Sequence, residues 1–146
     1  TLKLSAKLPK NLIMTPHPGE ASRLLGKSID EIESDRFKAV SLLQKKFNCV
    51  VVLKGSGSLV CYSKGGKQQI GICEAGNPGM ASGGMGDILT GIIAGFLAQG
   101  LSLIEAAELG VDIHAKAADL KSLDTGEVGL LASDVLEEVR HLLKYE

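Results

Sequence analysis

The chain has 146 residues, 45% of them apolar, and a formal net charge of −1. It is long enough for one domain with a real core and too apolar to be disordered. The near-neutral balance argues against nucleic acid or an anionic membrane surface as the main partner, local basic patches aside. Trp is absent, and an aliphatic composition of this kind suits Val/Ile/Leu strands layered under Ala-rich helices.

In chain order, Leu2, Leu4 and Leu8 read as the tail of a helix that Pro9 stops. Leu12 to Thr15 is a short aliphatic run, expected as a buried strand. Thr15-Pro16-His17-Pro18-Gly19-Glu20 is a strand-ending loop in which two prolines hold His17 extended. A short helix is expected from about Pro18 to Leu25, stopped by Gly26. Ser28-Ile29-Asp30-Glu31 has the capping-box pattern. It opens a helix with the apolar stripe Ile32, Phe37, Val40, Leu43 and Phe47, closed by Asn48. Cys49 to Leu53 is apolar throughout, as in a strand covered on both faces. Lys54-Gly55-Ser56-Gly57-Ser58 is a glycine turn, Leu59 to Tyr62 a strand, Gly65-Gly66 a hairpin turn and Gln68 to Cys73 a returning strand.

A glycine-rich segment from Gly76 to Asp87 leads into a helix beginning near Gly86 or Asp87. Gly91 and Gly95, one turn apart on it, predict a close-packed face. Ser102-Leu103-Ile104-Glu105 is a second capping box. Leu103, Ala106, Gly110, Ile113, Ala117 and Leu120 mark the buried stripe of the helix that follows. A loop covers residues 126–131, and Ser133 is placed to cap a last helix running to Leu143, with Val135, Leu136, Val139 and Leu142 or Leu143 inward. The order predicts an α/β domain with helices packed on a mainly parallel sheet. It begins abruptly, and the chain starts at Thr1 without Met, as a fragment would. Cys49, Cys61 and Cys73 form no C-x-x-C pair and read as small buried thiols in a reducing cytosol. No apolar run reaches the ~18 residues of a membrane span.

Three stretches carry chemistry. Backbone N–H groups at a helix start have no intrahelical partner and sit at the positive end of the macrodipole. Glycines let a ligand approach them, so residues 76–87 have the makings of a phosphate-binding loop. Asp87 either complements the helix dipole or acts as a general base aimed beside the phosphates. The Lys54 turn is either a plain hairpin or a nucleotide-binding turn; its lysine precedes the glycines, so it is no Walker A loop. His17 either packs between its prolines or faces a ligand at the end of a strand. His114, flanking a buried stripe, is expected as a packing histidine with satisfied hydrogen bonds, and His141 as a surface residue. The pairs Asp30/Glu31 and Glu137/Glu138 read as solvated or helix-start charges.

Thr15-Pro16-His17-Pro18-Gly19-Glu20, Lys54-Gly55-Ser56-Gly57 and Gly76-Asn77-x-Gly79-Met80-Ala81-x-Gly83-Gly84-x-Gly86-Asp87 together closely resemble the ADP/ATP-dependent NAD(P)H-hydrate dehydratases. Gly126-Glu127-x-Gly129-Leu130-x-Ala132-x-Asp134 is similar to that family's C-terminal signature. The resemblance implies a ribokinase-like three-layer α/β/α fold, incomplete here on its N-terminal side, with residues 1–146 as the C-terminal portion of the domain. It implies dehydration of hydrated NADH or NADPH, driven by ADP rather than ATP and giving AMP and phosphate: a lyase of metabolite repair in the cytoplasm. Asp87 would be the catalytic base. His17, Gly19, Glu20, Arg23 and Asp87 would meet the hydrated dinucleotide. Lys54, Gly55, Ser56, Gly57 and Ser58 would meet the nucleotide. So would Asn77, Pro78, Gly79, Met80, Ala81, Ser82, Gly83, Gly84, Met85 and Gly86. Mg²⁺ would bridge phosphates without a protein cage. The partners implied are the two small molecules, the absent N-terminal half and further copies of the chain, with neither nucleic acid nor membrane. A ribokinase-like kinase for a small alcohol such as a vitamin precursor, or a non-catalytic interaction half-domain, are the other functions that these residues leave open.

Overall fold

The computed structural model describes Pro9 and residues 11–144. The helix tail expected at Leu2, Leu4 and Leu8 lies outside the described residues. Strands β1 (Ile13–Met14), β2 (Val50–Leu53), β3 (Ser58–Lys64) and β4 (Lys67–Cys73) form one sheet in the order β1-β2-β3-β4. Helices α1 (Pro18–Leu25), α2 (Ile29–Ser34) and α3 (Arg36–Phe47) cover one face. Helices α4 (Met85–Ala98), α5 (Leu103–Thr125) and α6 (Ala132–Leu142) cover the other.

Strand alternation builds the two cores. Val51 and Leu53 of β2, with Leu59 and Cys61 of β3, pack against Ala21, Ile32, Val40 and Leu43. Val50, Val52 and Val60 point the other way, against Leu89, Ile93, Phe96, Val111 and Val135. Two-sided burial is why β2 carries no polar residue. The result is the expected α/β/α layering. The sheet is mixed: β1 and β2 are parallel, with Ile13 opposite Val50, while β2–β3 and β3–β4 are antiparallel. Within the described residues the β1–β2 pair alone is parallel. The short links at residues 54–57 and Gly65-Gly66 cannot make the crossover that a parallel pair needs.

Four local expectations are corrected. The helix after Ser28 is two helices, broken at Asp35 (φ −148°, ψ 80°), whose carboxylate accepts from Lys38 N at 2.9 Å and caps α3. The break turns Phe37 outward, leaving it 53% exposed. A Cβ added at Gly91 or Gly95 would meet nothing within 4 Å; the close approach of α4 to α5 is at Gly110, where an added Cβ would lie 2.6 Å from Ile93 Cγ1. Leu120 falls outside the buried stripe of α5, and Leu136 outside that of α6. Ser133 lies inside α6; the end is closed by the Asp134 carboxylate, which accepts from Leu131 N at 2.9 Å.

Cys49 and Cys61 are buried and unpaired, and burial pushes both thiols up to about 11. They stay protonated and unreactive near neutral pH. Among the described residues no helix is long and apolar enough to cross a membrane.

Candidate active site

The carboxyl ends of the parallel strands β1 and β2 lie side by side, tied by Lys54 N donating to Pro16 O at 2.9 Å. Loops leaving adjacent parallel strands in this way are where open α/β sheets bind ligands. Here the two loops are the His17 segment and the Lys54 turn, and the start of α4 faces them. A cleft of about 620 Å³ lies between. His17, residues 54–58 and most of the segment from Cys73 to Gly86 line it, over a floor of Met85, Leu89, Val111 and Ala115.

His17 is the N-cap of α1. Its Nδ1 accepts from Gly19 N and Glu20 N at 3.1 and 3.3 Å, and Glu20 Oε2 accepts from His17 N at 2.8 Å. This is a reciprocal capping box with histidine in the usual serine position. Because Nδ1 is an acceptor, a neutral His17 ring carries its proton on Nε2. That atom is 3.7 Å from Glu20 Oε2, and Lys54 Nζ is 3.9 Å from the same oxygen. One carboxylate oxygen thus joins the histidine loop to the lysine turn. The Lys54 ammonium in turn lies over Gly86, where a Cβ would sit 2.8 Å from Nζ. The absence of a side chain there lets the cation lie against the first turn of α4, a second positive contribution beside the helix N-terminus.

The glycine loop is held from behind. Asn77 caps a short 3₁₀ turn, Pro78–Met80, by accepting from Gly79 N at 3.0 Å. Asp119 of α5 accepts from Gly76 N at 2.8 Å and from Asn77 Nδ2 at 2.9 Å. Ser82 Oγ donates to Leu130 O at 3.0 Å, pinning the loop to the segment before α6. Gly84, in the left-handed region at φ 87°, is the N-cap of α4 and has no side chain to cover the helix start. Asp87 stands exposed in the first turn.

Of the residues singled out in the sequence, His17, the five of the Lys54 turn, Asn77, Pro78, Met80, Ala81, Ser82, Met85 and Gly86 meet at this cleft. Gly79, Gly83, Gly84 and Asp87 do not line it. Glu20 and Arg23 open instead onto a neighbouring cavity with Thr15 and Pro16, and Arg23 Nε donates to Gly19 O at 3.1 Å. His114 is buried, as expected, and lines the cleft. The expected hydrogen-bond satisfaction fails, because its Nε2 has no partner. Burial pushes its pKa down to about 4, opposed only in part by the Met85 backbone. Asp119 and Arg36 belong to none of the sequence motifs, and Ser82's partner Leu130 stands in the C-terminal signature. Of the first two, Asp119 alone left a trace in the sequence, as an acid directly beside the alanine pair Ala117-Ala118 of the buried stripe. No group of three His, Cys, Asp or Glu side chains among the described residues is placed to hold a metal ion.

Layering and cleft define a ribokinase-like α/β protein. A ribokinase-like superfamily protein from Enterococcus faecalis superposes with a TM-score of 0.81 at 30% identity, over 97% of this chain and 47% of that one. The family model for NAD(P)H-hydrate dehydratase matches residues 2–141, and the chain belongs to that family. It is 56% identical, over 90% of its length, to 26% of the bifunctional NAD(P)H-hydrate repair enzyme Nnr of Vibrio cholerae. It is 43% identical, over 91% of its length, to 44% of the ADP-dependent (S)-NAD(P)H-hydrate dehydratase of Neisseria meningitidis. The ADP/ATP-dependent NAD(P)H-hydrate dehydratase of Bacillus subtilis, co-crystallised with ATP/Mg²⁺, has a TM-score of 0.87 at 28% identity over 96% of this chain and 50% of that one. The chain therefore spans half or less of the length of these relatives.

Proposed function

We propose that the chain is the C-terminal, nucleotide-binding portion of an ADP-dependent NAD(P)H-hydrate dehydratase that returns hydrated NADH or NADPH to the reduced dinucleotide. The observation that carries this reading is the cleft itself. A lysine ammonium, a glycine turn and the open N-terminus of α4 converge on one space, with Asp87 next in the chain to the lining residue Gly86 and the His17 loop opposite. The ADP dependence named for the Neisseria relative fits an oxygen-rich anion on that donor set.

In this reading the nucleotide phosphates lie against the N–H groups of residues 77–86, and Lys54 adds charge. Asp87 takes the proton of the hydrate hydroxyl as that oxygen forms a bond to the terminal phosphorus of ADP. The bridging P–O bond breaks and AMP leaves. Expulsion of phosphate from the ring carbon, with loss of a ring proton, then restores the double bond. His17 and Glu20, with Gly19 and Arg23, bound the side from which the hydrate would enter. Mg²⁺ would arrive with the phosphates, neutralising their charge and held mainly by their oxygens. The relative sizes support assembly with a complementary N-terminal half, added beyond the two-residue strand β1, and a homo-oligomer in the cytoplasm belongs to the same reading.

The deciding experiment incubates the full-length protein with hydrated NADPH and either ADP or ATP and follows recovery of the reduced-nicotinamide absorbance. Recovery with ADP is expected. No recovery with either nucleotide, but phosphorylation of a small alcohol, would select a kinase; neither activity, with intact folding, would leave an interaction module. Light scattering sets the assembly. A stable, fully active monomer of 146 residues would overturn the requirement for another half.

A further inference from the structure

Arg36 stands where helix electrostatics disfavour it. It is the first residue of α3, at the positive end of the helix dipole, where a cation is unfavourable. Its side chain is only 16% exposed, and Nε is buried without a hydrogen-bond partner. The nearest carboxylate, Glu33 Oε2, is 4.0 Å away. A placement that breaks a local rule calls for an account of what the side chain holds.

The guanidinium spends its donors on the Lys54 turn. Nη2 donates to Leu53 O at 3.3 Å and Nη1 to Ser56 O. Gly55 makes room for it: at φ 149° its missing Cβ would lie 2.7 Å from Nη2 and 3.0 Å from Cζ. The Ser56–Gly57 peptide is trans, since no cis bond occurs among the described residues. In a trans peptide the N–H points opposite to the C=O. The Ser56 carbonyl is taken by Arg36, so the Gly57 N–H of the same peptide faces away from the guanidinium, and Gly57 is one of the residues that line the cleft. A planar fork that grips two carbonyls fixes this orientation in a way a lysine cannot.

We infer that Arg36 is a positioning residue for nucleotide binding, locking the 54–58 turn so that its Gly57 N–H serves as an anion donor. This rests on the nucleotide-binding reading of the cleft. The test is titration of the full-length protein with a fluorescent ADP, alongside thermal melting and the hydrate assay. Arg36→Met is expected to weaken ADP binding at least about tenfold, the effect of losing one hydrogen bond to a charged group. KM for ADP should rise while kcat and KM for the hydrate stay close to wild type. Millimolar guanidinium should restore binding. Arg36→Lys, the milder change, should fold and give an intermediate affinity. Wild-type affinity in a folded Arg36→Lys or Arg36→Met protein would overturn the inference. So would a loss of binding that only tracks loss of folded protein and that guanidinium does not reverse. Failure of the wild type itself to bind ADP would instead overturn the nucleotide-binding reading, and this inference with it.

Discussion

Asp119 Oδ1 and Asn77 Nδ2 meet at 2.9 Å, and through this contact helix α5 sets the shape of a loop it does not belong to. The second Asp119 oxygen takes Gly76 N, so both carboxylate oxygens are used on adjacent residues. Asp119→Ala leaves Gly76 N to solvent and Asn77 Nδ2 with Ser122 Oγ at 3.3 Å as its remaining partner, and is expected to lower stability by about 1 kcal/mol. It should weaken nucleotide binding by more than that loss of folded protein explains. Urea unfolding and ADP titration on the same preparation separate the two effects.

Asp87→Asn tests the proposed chemistry. The exposed side chain makes no fold contact that the amide cannot keep, so ADP affinity and melting temperature should hold. Turnover of hydrated NADPH should fall by about 10²–10⁴, the usual contribution of a general base. Full activity in the variant would remove Asp87 from that role.

Gly86→Ala separates site from stability. The added methyl would enter the space of Lys54 Nζ, which is the end of a flexible chain and can swing away. The helix gains a better former at this position. The variant should therefore melt no earlier than wild type yet bind ADP more weakly, and Lys54→Met should resemble it in affinity.

His114 makes stability depend on pH. Its folded pKa of about 4 lies below the ordinary 6.5, so between these values the unfolded chain binds more protons than the folded one. Stability is then complete above pH 6.5 and declines as pH falls toward 4, by on the order of 3 kcal/mol for a group this buried. Urea melts at pH 7.5 and 4.5 give the slope. His114→Leu should flatten it; an unchanged slope would show that another group titrates.

Periodicity and capping made most of the fold legible. The apolar run from Cys49 to Leu53 announced a strand buried on both faces, and Ser102 with Glu105 marked the start of α5. The glycine loop and the Lys54 turn stood out because both place backbone donors at the end of a regular element, and the structure sets them around one cleft. What stayed hidden was tertiary. Nothing around Asp35 signals that its carboxylate will cap a new helix rather than continue the old one. The Gly91/Gly95 spacing suggested close packing, but the contact was at Gly110, since which face of a helix meets a neighbour is decided by the partner. Asp119 and Arg36 act on segments distant in sequence, and no local pattern names the carbonyls or amides they hold.

Strand β2 is covered by helices on both faces and flanked by strands on both edges. Its central amides, at Val51 and Val52, can exchange with solvent deuterium only when the whole domain opens. They should be among the slowest-exchanging in the chain, and the free energy of their exchange should match that of global unfolding. Lys54 follows this strand without an intervening residue. The turn it begins is thus anchored in the slowest-opening part of the molecule, so its donors keep their positions through the local fluctuations that loosen exposed loops elsewhere.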